Sequence, residues 1–229
     1  KNLQYFIEQG LLYFGPTWNY SNALASSAYD EVNSLIKSDQ LGLKKFGKDV
    51  IQLCEDSGVI IDVSHIGEKS FWDIVKISTK PIIASHSCVY NLCPHFRNLK
   101  DDQIKAIKKK NGAVFVNLYP NLIDKNFYIK EEKVKVKYKN ELNLIDSKYN
   151  NPDERWINKQ YFLQKKLKTV SPKLGIFINH VEYIIQLVGV DYVGIGSDYD
   201  GIDCLPKEFT DCTDHMLIVD ELKSRGYSN

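Results

Sequence analysis

The chain has 229 residues, 43% of them hydrophobic and 12% aromatic, with 30 Lys+Arg against 29 Asp+Glu. That is enough apolar chain for one large core or two modest ones, and it excludes a disordered polymer, which needs low hydrophobicity and high net charge. A formal charge of +1 points away from nucleic acid or an anionic membrane as the main partner.

Short apolar runs alternate with segments of helical period, which predicts β/α units and a parallel sheet. The first strand is read at residues 11–14. A helix over 42–57 follows, with Phe46, Val50, Leu53 and Cys54 on one face and Gly58 past its end. The second strand is read at 59–63. The next helix, 68–79, carries Phe71, Ile74, Val75 and Ser78 and is stopped by Pro81. After a third strand at 81–84, Asn98 reads as the N-cap of a helix over 100–110. Asp101 and Asp102 lie in its first turn and Lys108 to Lys110 in its last. The fourth and fifth strands are read at 113–118 and 192–195, and a last helix at 214–225 ends before Gly226.

One region breaks this rhythm. Residues 121–170 hold 12 of the 30 basic residues and 7 acidic ones, with Lys133, Lys135 and Lys137 alternating with Val134 and Val136. Asn151-Pro152-Asp153-Glu154 reads as a helix start. A solvated, partly helical excursion between strands four and five explains this better than a nucleic-acid patch. The five cysteines form no C-x-x-C pair and read as free thiols, with a Cys204–Cys212 disulfide left open. No stretch approaches the roughly 18 apolar residues of a transmembrane segment. Residues 1–10 lack the apolar core of a signal peptide, which points to a cytoplasmic location. There is no initiator Met, so the chain reads as a mature product or a piece of a longer one.

Chemistry is expected where strands end, because ligands of parallel α/β folds gather at the C-terminal ends of the strands. Val59-Ile60-Ile61-Asp62-Val63-Ser64-His65 and Pro81-Ile82-Ile83-Ala84-Ser85-His86 each put a histidine there. Their 21-residue spacing is one strand, one helix and one strand. Neighbouring strands lie about 4.8 Å apart, so His65 and His86 can converge on one metal ion; the competing reading is that each caps the following segment. Asp198 and Asp200 follow a strand with alternating Gly194 and Gly196, and an extended chain would put both carboxylates on one side. A turn closed by Gly201 is the alternative. Arg97 suits recognition of a carboxylate, although a loop arginine is more often solvated. His95, His180 and His215 read as structural; His180 shares a helical stripe with Phe177, Val181 and Ile184. There is no G-x-G-x-x-G, Walker A, H-E-x-x-H or G-x-S-x-G pattern.

Residues 58–65 with Phe71-Trp72-Asp73 resemble the membrane (renal-type) dipeptidase family of zinc metallopeptidases. So do residues 81–87, the block Cys93-Pro94-His95-Phe96-Arg97-Asn98-Leu99, Val116-Asn117-Leu118-Tyr119-Pro120, and His180-Val181-Glu182-Tyr183-Ile184 running into residues 193–201. The resemblance implies an α/β fold, a (β/α)8 TIM-type barrel with two zinc ions at its C-terminal face. This chain would supply about five of the eight β/α units as one partial barrel domain, 1–229, with a Lys-rich excursion at about 121–175. His65 and His86 would be metal ligands of one zinc, Arg97 would bind the substrate carboxylate, and Asp198 would act in proton transfer and substrate binding. The implied activity is hydrolysis of dipeptides by a metal-activated water, with a homodimer left open.

Three departures from the family pattern stand out. No H-x-D pair occurs in the chain, the bridging Glu of the second zinc would fall upstream of Lys1, and Trp18 stands where some members have His. The chain would then hold ligands for about one zinc. The alternatives are a truncated or degenerate non-catalytic barrel relative, and a mononuclear His65/His86/Asp198 amidohydrolase.

Overall fold

The computed structural model describes residues 2–228. Five short strands, β1 (Tyr13–Phe14), β2 (Ile60–Asp62), β3 (Ile82–Ile83), β4 (Val114–Val116) and β5 (Val193–Ile195), are all parallel and follow chain order. β1, β2 and β3 form one ladder and β4 and β5 another. A parallel bridge between Ala84 and Val114 joins the two, with Phe115 N–H donating to the Ala84 carbonyl at 2.8 Å. The ladders are shorter than the apolar runs that announce them. Pro81 has no N–H to offer at the start of β3, and beyond β2 and β3 the chain turns out of the ladder to present polar side chains.

Helices connect and cover the strands: α1 (Asn2–Glu8), α2 (Ala28–Val32), α3 (Lys45–Asp56), α4 (Glu68–Ile77), α5 (Asp101–Lys109) and α6 (Pro120–Ile123). The excursion follows as α7 (Phe127–Lys137), α8 (Lys139–Lys148) and α9 (Pro152–Leu167). Then come α10 (Leu174–Val188) and, after β5, α11 (Met216–Ser224). The main core packs Ile61, Ile82, Val114 and Val116 of the strands against Ile51, Phe71, Ile74, Ile104, Ile107, Phe177 and Ile184 of the helices. A separate cluster of Phe127, Val134, Leu163, Leu167 and Cys204 holds the excursion together.

Two helix readings need correction. α3 buries Gly47, Ile51, Cys54 and Glu55, while Phe46 and Leu53 face outward. Its roll is set by the buried Glu55 carboxylate, which accepts the Thr79 N–H at 3.1 Å and the Thr79 hydroxyl at 2.9 Å. Asn98 does not cap α5. Its amide instead donates to the carbonyls of Cys93 and Leu122, at 2.9 and 2.7 Å, and its oxygen accepts the Cys88 N–H. The N-cap position falls to Lys100, whose N–H is taken by the Gln103 side chain at 2.9 Å. The five thiols are free. No helix among the described residues is long and apolar enough to cross a membrane.

Candidate functional site

The sheet register brings the two histidines together. Ile61 pairs with Ile82 and Asp62 with Ile83, an offset of 21 residues and the same as that between His65 and His86. Each histidine therefore leaves its strand at the same height, and the two Nε2 atoms stand 2.8 Å apart. Burial is the main cause that drives the His65 pKa down, to about 2, with the Arg97 guanidinium and His86 adding to it. The His86 pKa is lowered by burial and by Arg97, against the opposing pull of the Asp198 and Asp62 carboxylates. Both rings are thus neutral at ordinary pH, the state in which imidazole ligates metals.

Behind the rings lies a buried polar network. Asp62, 7% exposed, accepts the Ser64 N–H and hydroxyl on Oδ1 at 3.1 and 2.7 Å. The same oxygen accepts the Ser85 N–H at 2.9 Å, and Oδ2 accepts the Ser85 hydroxyl at 2.6 Å. Ser85 Oγ in turn lies 2.7 Å from His86 Nδ1, and Ser64 Oγ accepts the His86 backbone N–H at 3.0 Å.

Arg97 is not a solvated loop residue. It is 8% exposed, and its Nη1 is buried with no hydrogen-bond partner. Burial lowers its pKa to about 10, partly offset by Asp62 and Asp198, so it stays charged. A buried guanidinium with an unpartnered N–H can donate a charge-assisted hydrogen bond to an anion. On the far side, Asp198 Oδ2 accepts from the Asn117 amide at 2.9 Å, and Asn117 Oδ1 holds the Tyr119 N–H at 2.7 Å.

The extended chain expected at Asp198 and Asp200 is not found. Both residues have positive φ, 60° and 65°, and Gly201 N–H closes a turn onto the Asp198 carbonyl at 3.1 Å. The turn directs Asp198 toward Asn117 and sends Asp200 to a separate cavity of about 400 Å³ beside Trp156 and Tyr161 of α9. Aspartate is among the non-glycine residues that enter the left-handed region most readily, as a tight turn requires. Gly196 has a packing reason, because a Cβ there would run into the Ser85 carbonyl.

The other histidines have packing or hydrogen-bond partners of their own. His180, 1% exposed, accepts the Val89 N–H on Nδ1 at 3.0 Å and reaches the Ile123 carbonyl with Nε2 at 3.0 Å, tying α10 to two loops. His95 stacks on Phe96 and accepts the Arg97 N–H on Nδ1 at 3.1 Å, which steers Arg97 inward. His215 lies beside Tyr199 and Phe209. Trp18 stands with its ring 6.3 Å from that of His65.

The residues present fit a metal ion in part. Two nitrogens bound at about 2.0–2.1 Å to one tetrahedral ion stand about 3.3 Å apart, so the His65 and His86 rings, 2.8 Å apart and in direct hydrogen-bond contact, would part by about half an ångström to admit one. Among the described residues no group of three or more His, Cys, Asp or Glu is arranged around an ion. Sequence reasoning missed Asp62, Ser85 and Asn117. The signal was a serine directly before each histidine and an asparagine at the equivalent end of β4.

An α/β frame with its polar groups at the C-terminal strand ends is the layout of a ligand-binding or catalytic fold. The chain belongs to the membrane dipeptidase family, peptidase family M19, which matches residues 1–229. It is 29% identical over 227 residues to an uncharacterized protein in the pqqA 5′ region of Klebsiella pneumoniae, covering 99% of this chain and 69% of that one. It is 26% identical over 226 residues to dipeptidase aclJ of Aspergillus oryzae, covering 99% of this chain and 43% of that one.

Among solved structures, the probable dipeptidase PvdM from Pseudomonas aeruginosa is similar with a TM-score of 0.72 at 25% identity, over 99% of this chain and 60% of that one. A metallo peptidase from Rhodobacter sphaeroides liganded with a phosphinate mimic of the dipeptide L-Ala-D-Ala shares the fold with a TM-score of 0.73 at 22% identity. That likeness covers 100% of this chain and 54% of the other. The chain thus spans between about two fifths and two thirds of the length of these relatives.

Proposed function

We propose that this chain carries five of the eight β/α units of a (β/α)8 barrel and that its strand-end site hydrolyses dipeptides with zinc. The observation that carries the reading is the meeting of two imidazole Nε2 atoms at 2.8 Å beside a buried arginine with an unpartnered N–H. His65 and His86 would hold the ion. A bound zinc supplies Lewis-acid polarisation of the peptide carbonyl and lowers the pKa of water.

The rest of the chemistry falls to the chain's own groups. Arg97 takes the substrate's terminal carboxylate, and its burial strengthens that charge-assisted bond and selects substrates with a carboxylate one residue beyond the scissile bond. Asp198, oriented by the Asn117 amide, would take a proton from the attacking water and pass it to the leaving amine, and its carboxylate would hold the substrate's ammonium group. Trp18 covers the His65 side of the site.

The test is an assay of the purified chain, with zinc added, against a dipeptide and its C-terminal amide. Hydrolysis of the acid and not of the amide is expected, and Arg97→Lys should lower kcat/KM by about 10–100-fold, the worth of a charge-assisted hydrogen bond. Equal turnover of acid and amide would overturn the role of Arg97.

A second reading is a non-catalytic relative lacking one zinc site. It is favoured by a two-histidine set with no third ligand among the described residues. It predicts one zinc or none per chain and no turnover of either substrate.

A further inference from the structure

We propose that Asp62 and Ser85 act as positioning residues that fix the tautomer of His86, holding its proton on Nδ1 and leaving Nε2 bare toward His65. The role rests on reading His86 as a metal ligand, but the tautomer itself does not.

The argument is one of proton counting. Asp62 receives four donors, the N–H and hydroxyl of Ser64 and the N–H and hydroxyl of Ser85. An ionised carboxylate is an acceptor only, and both Asp62 oxygens face donors. The Ser85 hydroxyl has one proton, and at 2.6 Å from Asp62 Oδ2 it gives that proton to the carboxylate. The same oxygen lies 2.7 Å from His86 Nδ1 and can only accept there. Nδ1 therefore carries the hydrogen, and in a neutral imidazole Nε2 is left with its lone pair.

Ser64 removes the remaining ambiguity. Its proton goes to Asp62 Oδ1 at 2.7 Å and its oxygen accepts the His86 backbone N–H at 3.0 Å. The Ser64 and Ser85 hydroxyls, 3.2 Å apart, are thus both committed to Asp62, and neither turns its proton on the other. The backbone and ring of His86 are fixed from one carboxylate through two serines. Outer partners of this kind orient a ligating ring and raise its donor strength. His65 differs: its Nδ1 is buried with no partner. Of the two rings, His86 is the one delivered in a single state before any ion arrives.

Asp62→Asn is the sharpest probe, because an amide can turn its NH2 toward Ser85, reverse the direction of the chain and drive the ring proton to Nε2. Long-range proton–nitrogen NMR of the full chain prepared metal-free should show His86 protonated on Nδ1. The Nε2 form should grow in Asp62→Asn, the preference should vanish in Ser85→Ala, and Ser85→Thr should restore it. Zinc titration by calorimetry should show affinity about 10–100-fold weaker in Asp62→Asn and Ser85→Ala and near wild type in Ser85→Thr.

Ser85→Ala keeps the Ser85 backbone bond to Asp62, so the test survives if the Asp62 variant fails to fold. A His86 ring already protonated on Nε2 in the wild type, or unmoved by either variant, overturns the relay and leaves the metal reading standing. A wild-type chain with the expected tautomer that takes up no zinc overturns the metal reading and the purpose assigned here.

Discussion

The ends of β2 and β3 and the excursion α7–α9 are built on opposite plans. At the strand ends, one buried carboxylate organises two serines and an imidazole within a span set by sheet register. In the excursion, a small apolar cluster carries a lysine-rich surface. Pairs such as Lys130–Asp124 at 2.8 Å and Lys159–Asp146 at 2.5 Å sit in contact with water. Exposed pairs of that kind contribute little, about 0–1 kcal/mol each. Geometry is therefore tightly specified at the strand ends, whereas the excursion's surface charges are loosely held, with the buried Glu131, bound by Asn121 at 2.7 Å and Lys135 at 2.9 Å, as an exception.

The largest expected effect sets the site apart from its surroundings. His65→Ala and His86→Ala should each abolish zinc retention after dialysis, read as metal content, while thermal melting stays close to wild type. A melting loss as large as that of a core truncation would mean that the pair is structural.

Core truncations test whether the two regions unfold separately. Phe177→Ala, in the main core, should cost about 3–5 kcal/mol of global stability. Phe127→Ala, the same change in the excursion cluster, should strip hydrogen-exchange protection from α7–α9 and leave β2–β4 protected. Equal loss everywhere would show that the two clusters unfold as one.

A smaller effect is expected from pH. Burial lowers the His180 pKa to about 4, opposed by its bond to the Ile123 carbonyl. The unfolded chain, with an ordinary histidine near pKa 6.5, then binds a proton that the folded chain refuses. Stability from this residue is complete above about pH 6.5 and is lost as pH falls toward about 4, at up to about 1.4 kcal/mol per pH unit. Denaturant titrations of wild type and His180→Gln across that window should differ in slope. Parallel curves would assign the acid sensitivity elsewhere. The smallest effect belongs to Trp156→Ala. Its side chain is 59% exposed on α9, and the change should move stability by under about 0.5 kcal/mol.

Much of this was legible in the residues themselves. Apolar runs located all five strands, and the stripe of Phe177, His180, Val181 and Ile184 was correctly read as the buried face of α10. The 21-residue spacing located His65 and His86 together, because a β/α unit returns the chain to the same height each time. α3 was misread because it has apolar residues on two faces, and a buried Glu55, which periodicity scores as surface, decides between them. The spacing of Asp198 and Asp200 left an extended chain and a turn closed by Gly201 both open, because spacing carries no φ, and the structure takes the turn. The serine before each histidine was a signal, but the roles of Asp62 and Ser85 depend on which atoms lie within 2.6–2.9 Å across two strands, which sequence neighbours do not give.

The shared offset of strand pairing and histidine spacing divides the chain into lengths that are free to drift and lengths that are not. A turn added to α4, together with its loops, would leave Ile61 opposite Ile82 and the imidazoles still facing, since the ladder and not the connector fixes their height. One residue inserted between Asp62 and His65 would displace the ring from its partner and break the pair while the Ile61–Ile82 and Asp62–Ile83 pairing is kept. Indels in natural variants of this protein should therefore fall in the outer helices and spare the four-residue steps from Ile61 to His65 and from Ile82 to His86.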